Sequence, residues 1–118
     1  MQVIEVILRE YLKEITAVPV YLEEPEKPPK EYIIIDKLGS SEDNLISSAS
    51  VAIQSYSDSL YGAAWLNRQV KAAMRNIVAL DTVAAAKLNS DYNYTDTQTK
   101  RYRYQAVYNI TYYDQEGV

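Results

Sequence analysis

Apolar side chains near the N-terminus recur at steps of three and four residues, which places them on one face of an α-helix. They are Ile4, Ile7, Leu8, Tyr11, Leu12 and Ile15. Charged residues occupy the opposite face, and Pro19 disfavours helical geometry at the residue before it. The pattern predicts a helix over residues 2–16, followed by a short strand over residues 20–22.

The residues that follow, up to position 56, have the patterns of a loop and two strands. The segment Glu23 to Glu31 contains three of the four prolines, which cannot pair into a sheet, and it predicts a loop. Residues 32–38 are apolar nearly throughout, as in a strand that is covered on both faces, and residues 39–44 supply turn signals. Apolar and polar residues alternate over residues 46–56, which predicts a half-buried strand antiparallel to the one before it.

The helical period returns over residues 58–80 and predicts a long amphipathic helix, for which Ser57 is the expected N-cap. Residues 82–94 are mostly strand-like, although residues 83–86 are also compatible with a longer helix. The clearest alternation in the chain lies over residues 100–113 and predicts a strand. One face of this strand carries Tyr102, Tyr104, Ala106, Tyr108, Ile110 and Tyr112, and the other carries Arg101, Arg103, Gln105, Val107, Asn109 and Thr111.

The predicted elements follow the order α-β-β-β-α-β-β. Runs of strands joined by short turns, with few helices between them, are typical of the α+β class. The sequence therefore predicts two helices packed on one face of a mostly antiparallel sheet of about five strands. With 118 residues, the chain is long enough for one domain, residues 1–118, and no more.

Composition excludes several kinds of chemistry. The chain has no cysteine and no histidine, so it lacks disulfides, thiolate metal sites, the commonest general base and the commonest metal ligand. Serines are frequent, but no spacing among them matches a nucleophile motif. Residues 91–96 resemble the start of a calcium loop, yet Asp96 stands where a glycine is needed and Tyr102 where a bidentate glutamate is needed. We expect a protein that is not an enzyme and that has no catalytic residues, metal or cofactor.

The charge of the chain limits the partners and the location that we expect for it. The formal net charge of −4 argues against binding to nucleic acids in general or to anionic membranes, because both require clustered basic residues. The charged N-terminal residues match neither a signal peptide nor a membrane span, which predicts a soluble protein made in a cytosol. Twelve tyrosines beside no phenylalanine are compatible with a wet interface, and equally with half-exposed sheet faces.

The run Lys100 to Tyr104 interleaves basic and aromatic residues, a pattern seen in platforms that bind single-stranded nucleic acids. Strand alternation, however, sends the arginines and the tyrosines to opposite faces. Together with the acidic balance, this favours a tyrosine face covered by protein and an arginine face that meets solvent or the carboxylates of a neighbouring subunit. Trp65, on the second predicted helix, is either a core residue or an interface anchor.

Three segments carry a resemblance to a known group of proteins. They are Val18 to Pro25, Ala52 to Ser57 and Tyr102 to Ala106. The chain resembles the minor capsid or tail completion proteins of phages and prophages of Gram-positive bacteria, which are similar in layout to the tail terminators of siphophages. The resemblance covers nearly the full chain, and its motifs are positional and hydrophobic rather than catalytic.

The resemblance implies a hexameric ring that caps the tail tube, stops its growth and joins the tail to the head. The implied partners are other copies of the chain, the major tail tube protein and the head–tail connector protein, with no membrane and no sequence-specific nucleic acid. The implied location is the virion, at the tail or head–tail junction, and the host cytoplasm during assembly. The alternative is a monomeric adaptor that binds a protein through the edge or face of its tyrosine-rich sheet. The candidate interface residues are Arg101, Arg103, Tyr102, Tyr104, Tyr92, Tyr94 and Trp65.

Overall fold

The first helix forms where its apolar stripe predicts it. In the computed structural model, which describes residues 3–43, 46–99 and 101–113, helix α1 runs over Ile4–Thr16 and buries Ile4, Leu8 and Leu12. It ends at Ala17, which adopts a left-handed conformation with φ of 61° and donates its N–H to the Lys13 carbonyl.

Five strands form one sheet. They are β1 (Val20–Tyr21), β2 (Tyr32–Asp43), β3 (Ile46–Ser57), β4 (Val83–Asn93) and β5 (Tyr102–Tyr113), and they lie in the order β1-β2-β3-β5-β4. The pair β1 and β2 is parallel, and the other three pairs are antiparallel. Helix α2 (Leu60–Arg75) and α1 share one core with the sheet, built on β3 and β5 residues such as Ile53 and Ile110. The predicted fold class and element order are confirmed.

The structure corrects two boundaries and settles the open alternative at residues 83–86. Strand β2 continues to Asp43, so the turn predicted over residues 39–44 is wrong for residues 39–43, which pair with β3; residue 44 lies outside the described residues. The pairing resumes after a bulge between Lys37 and Gly39 and continues past the glycine and serines. Residues 83–86 belong to β4, and α2 ends at Arg75 before a short 3₁₀ turn.

At the N-terminus of α2, Gly62 lies close to the side chains of Ser57 and Ser59. Ser59, and not Ser57, caps the helix, and its Oγ accepts the Gly62 N–H at 3.0 Å. A Cβ built on Gly62 would lie 3.0 Å from both Ser57 Cβ and Ser59 Oγ, and closer still to Ser57 Oγ. Only glycine fits this position without displacing the cap.

We expect Gly62→Ala to lower the free energy of unfolding by about 1–3 kcal/mol, because the added methyl group overpacks the helix start. At an uncrowded helix position the same change would raise stability by about 1 kcal/mol, so the sign of the effect is informative. Gly39→Ala is the matched control, since a Cβ there meets nothing within 4 Å. Urea denaturation of the three proteins measures the difference, and a more stable Gly62→Ala protein would contradict the close approach.

Candidate interaction surface

The face of the sheet that points away from the helices, which we call the outer face, carries its own buried aromatic cluster. Tyr32 on β2 is paired with Tyr56 on β3, and their rings are stacked with centroids 4.5 Å apart and planes 4° apart. Tyr21 packs against the edge of this pair, and Ile34 completes the cluster. The cluster is buried although neither α1 nor α2 covers this face, so other side chains must shield it.

Arg101 provides part of that cover. Its guanidinium lies 5.9 Å from the ring centre of Tyr32 and 5.8 Å from that of Tyr56. It donates to the Tyr32 hydroxyl at 2.7 Å and forms a 2.7 Å ion pair with Glu24. The Tyr32 hydroxyl donates in turn to Glu24 at 3.1 Å. Burial, and then the bond to Glu24, raise the pKa of Tyr32 well above its ordinary value.

Arg103 extends the cluster towards the other edge of the sheet. It donates to the Tyr56 hydroxyl and to the Tyr94 carbonyl, both at 2.9 Å, and its guanidinium lies 4.3 Å from the centre of the Tyr94 ring. Tyr94 meets the ring of Tyr92 edge to face at 5.7 Å. The row of contacts therefore ends in two partly exposed tyrosines, Tyr94 at 47% and Tyr92 at 41%.

A row of amides lies beside the aromatic row and ties three strands together. Gln54 on β3 donates to Gln105 on β5 at 2.8 Å, and Gln105 donates to the Tyr92 hydroxyl on β4. The Tyr56 hydroxyl donates to Gln54 at 3.2 Å, which joins the two rows. Polar side chains on this face are thus held in place before any partner arrives, which lowers the entropic cost of binding one.

The structure divides the predicted interface residues between two faces. Arg101, Arg103, Tyr92 and Tyr94 come together on the outer face, through the contacts given above. Tyr102 and Tyr104 share the helix-side face of β5 with the buried Ala106 and are half-buried there. Trp65 lies on α2 with half of its surface exposed and with the Arg68 guanidinium 5.9 Å from its ring. Contact of these residues with a second protein stays a prediction.

The expected separation of arginines from tyrosines holds within β5 and fails for the sheet as a whole. Tyrosines from β2 and β3, and Tyr94 beyond β4, lie on the arginine face. Arg101 meets solvent in part, and its carboxylate partner within this chain is Glu24. Its contact with a neighbouring subunit stays a prediction.

Sequence reasoning missed Tyr32, Tyr56 and Glu24. The available signal was the register of the β2–β3 hairpin, because a turn near residue 44 places Tyr32 opposite Tyr56. Glu24 had no such signal, since it lies in a proline-rich segment between strands where no periodicity fixes its position.

The chemistry of the surface is that of contact rather than reaction. The stacked rings are too enclosed to receive a nucleobase, whereas the exposed Tyr92 and Tyr94 beside Arg103 have the composition of protein interfaces. Burial raises the pKa of Tyr108 to about 12, and the hydrogen bond from the Gln98 N–H lowers the pKa of Asp96. Both pKa values therefore move away from neutral pH.

The described residues contain neither a metal-binding cluster nor a membrane-spanning helix. Residues 3–43, 46–99 and 101–113 contain no group of three or more acidic side chains arranged to hold a metal ion. Within those same residues, no helix has the length and apolar character needed to cross a bilayer.

Comparison with known proteins gives a likeness of fold. No protein-family model matches the chain, and no curated protein matches it. Among solved structures, a chain from the virion of a native gene transfer agent particle is similar, with a TM-score of 0.50 and 15% sequence identity. The match covers 86% of this chain and 84% of that one. At this identity the likeness concerns the fold alone.

Proposed function

We propose that this chain is a virion structural protein of a tailed, phage-like particle. The observation that carries the proposal is the fold likeness to a chain of a gene transfer agent virion, which extends over more than four fifths of both chains. Near-complete coverage in both directions supports a shared architecture rather than a shared fragment. The sequence resemblance to tail completion proteins points the same way.

The specific role that we propose is that of a tail terminator. Copies of the chain form a hexameric ring that binds the end of the major tail tube protein, stops further addition of tube subunits and offers a surface to the head–tail connector. The mechanism is non-covalent and needs no catalytic group, metal or cofactor. The protein acts at the tail or head–tail junction of the virion and reaches it from the host cytoplasm. The Gram-positive host of the resembled family stays a prediction.

Two measurements test this role. Size-exclusion chromatography with light scattering is expected to give six times the mass of one chain, and negative-stain electron microscopy is expected to show rings. Added to polymerising tail tube protein, the ring is expected to bind one end of each tube and shorten the tubes in proportion to its concentration. A chain that stays monomeric at high concentration and leaves tube length unchanged would contradict the proposal.

The alternative is a monomeric adaptor, which is favoured by the exposure of Tyr92 on the edge strand β4 and of Tyr94 just beyond it. It differs from the ring in stoichiometry. An adaptor forms a one-to-one complex that Tyr94→Ala weakens, and the mass of the free chain stays that of a monomer. A terminator shows six-fold mass before any partner is added.

A further inference from the structure

Charge is distributed unevenly along the chain. The first 57 residues carry ten acidic and five basic side chains, whereas the remaining 61 carry six acidic and seven basic. The excess of acid thus belongs almost entirely to the first half of the sequence.

The two edges of the sheet come from different halves of the sequence. Strands β1 and β2, from the acidic half, form one edge of the sheet, and α1 packs beside them. Strand β4, from the other half, forms the opposite edge, and α2 lies over β3 and β5 with contacts to β4. The two lateral sides of the molecule therefore differ in charge.

The acidic side is defined by Asp36, Glu42 and Asp43 on β2. All three side chains are exposed, and β1 leaves this stretch of the edge open because it pairs only with Ile33 and Ile34. Among the residues that the structure describes, none of the three has an ion-pair partner.

The basic side is defined by Lys87 on β4 and Arg75 on α2. Both are exposed, and neither forms an ion pair within the described ranges. Arg75 lies one helical turn beyond Lys71, which pairs with Asp91 of β4, so it is on the side of α2 that faces this edge. The side chains that define the two sides are opposite in charge, and none of them forms an ion pair within the described ranges.

The backbone of both edges is open as well. Along β2 beyond Ile34, and along β4, the outward backbone groups have no strand partner in the described residues. Bulges interrupt both edges, between Lys37 and Gly39 and at two places in β4. Because bulges discourage indiscriminate strand pairing, the charged side chains decide which edge meets which.

We infer that the acidic side of one copy docks on the basic side of the next, and that this contact joins the subunits of the ring. The two surfaces are different and lie on opposite edges, so the contact is head-to-tail, the kind that closes into a ring when the rotation between copies allows it. The inference rests on the proposed function and identifies the contact within it. It assigns subunit recognition to Lys87 and Arg75 rather than to the internally bonded Arg101.

Charge reversal on one side at a time tests the contact. The variant Arg75→Glu with Lys87→Glu has two acidic sides, and the variant Asp36→Lys with Glu42→Lys has two basic sides. Each is expected to need at least about tenfold higher concentration to assemble, because like charges then face each other. Asp58→Lys, which adds positive charge at the end of the central strand β3, is the matched control and is expected to assemble like the unchanged chain.

Mixing gives the sharper result. An equimolar mixture of the two variants is expected to form rings again, with alternating subunits, since every contact then joins an acidic to a basic side. Light scattering measures the mass, and urea denaturation of each variant confirms that it is folded. Rings that form equally well from each variant alone overturn this inference and leave the proposed function standing. Absence of rings from the unchanged chain overturns both.

Discussion

Truncation of Tyr32 to alanine is expected to lower the free energy of unfolding by about 3–5 kcal/mol, the range for removal of a buried aromatic side chain. Tyr32 is only 3% exposed, although it lies on the sheet face that neither α1 nor α2 covers. Its ring stacks on Tyr56, and its hydroxyl joins Arg101 to Glu24. Loss of the side chain therefore leaves a cavity and removes the hydroxyl's bonds to Arg101 and Glu24, whereas the direct ion pair between those two residues remains.

Two further variants separate these contributions. Tyr32→Phe keeps the stacked ring and removes the hydroxyl, and it is expected to cost about 0.5–1.5 kcal/mol. Tyr61→Ala is the control, because Tyr61 is 79% exposed and its truncation is expected to change stability by no more than about 0.5 kcal/mol. Urea denaturation measures all three, and equal stability of Tyr32→Ala and Tyr61→Ala would mean that the outer cluster does not stabilise the fold.

The internal contacts of the outer cluster affect how variants of the candidate interface residues are interpreted. Arg101 and Arg103 hold the aromatic cluster together inside one chain, so their replacement is expected to lower stability whether or not they contact a second protein. Tyr92 and Tyr94 are more exposed and end the row of contacts, which makes them better probes of binding. Measurements of assembly on the arginine variants need a parallel measurement of stability.

Patterns that one element carries by itself were predictable. The stripe of α1 and the alternation of β5 each follow from local spacing, because burial against one core selects one face. The main core confirms the alternation, since Ala106, Tyr108 and Ile110 are buried together on the helix side of β5.

Features that depend on which elements pair with each other were less predictable from the sequence. The extension of β2 past Leu38 was missed because glycine and serine have low strand propensity, and hairpin pairing overrides that preference. The contact of Arg103 with Tyr56 depends on the register of β3 against β5, strands that are separated in sequence by a helix and another strand. Single-strand alternation cannot show which side chains of a neighbouring strand share its face.

The stripe of α1 leads to the second large effect. Six apolar residues fit the helical spacing, but the structure buries them unequally: Leu8 is fully buried, whereas Ile15 is 52% exposed near the end of the helix. Leu8 lies in the core that α1 shares with α2 and the sheet. We expect Leu8→Ala to lower the free energy of unfolding by about 2–5 kcal/mol, because the truncation leaves a cavity that the surrounding side chains fill only in part.

Ile15→Ala is the matched variant in the same helix, and it is expected to cost no more than about 1 kcal/mol, since its side chain gives up less contact on truncation. Both changes put the same alanine in the same helix, so their difference in helix propensity is small and burial dominates the comparison. Urea denaturation midpoints with unchanged slopes measure the two losses. Equal losses would show that α1 packs through its whole apolar stripe, and would contradict the exposure of Ile15.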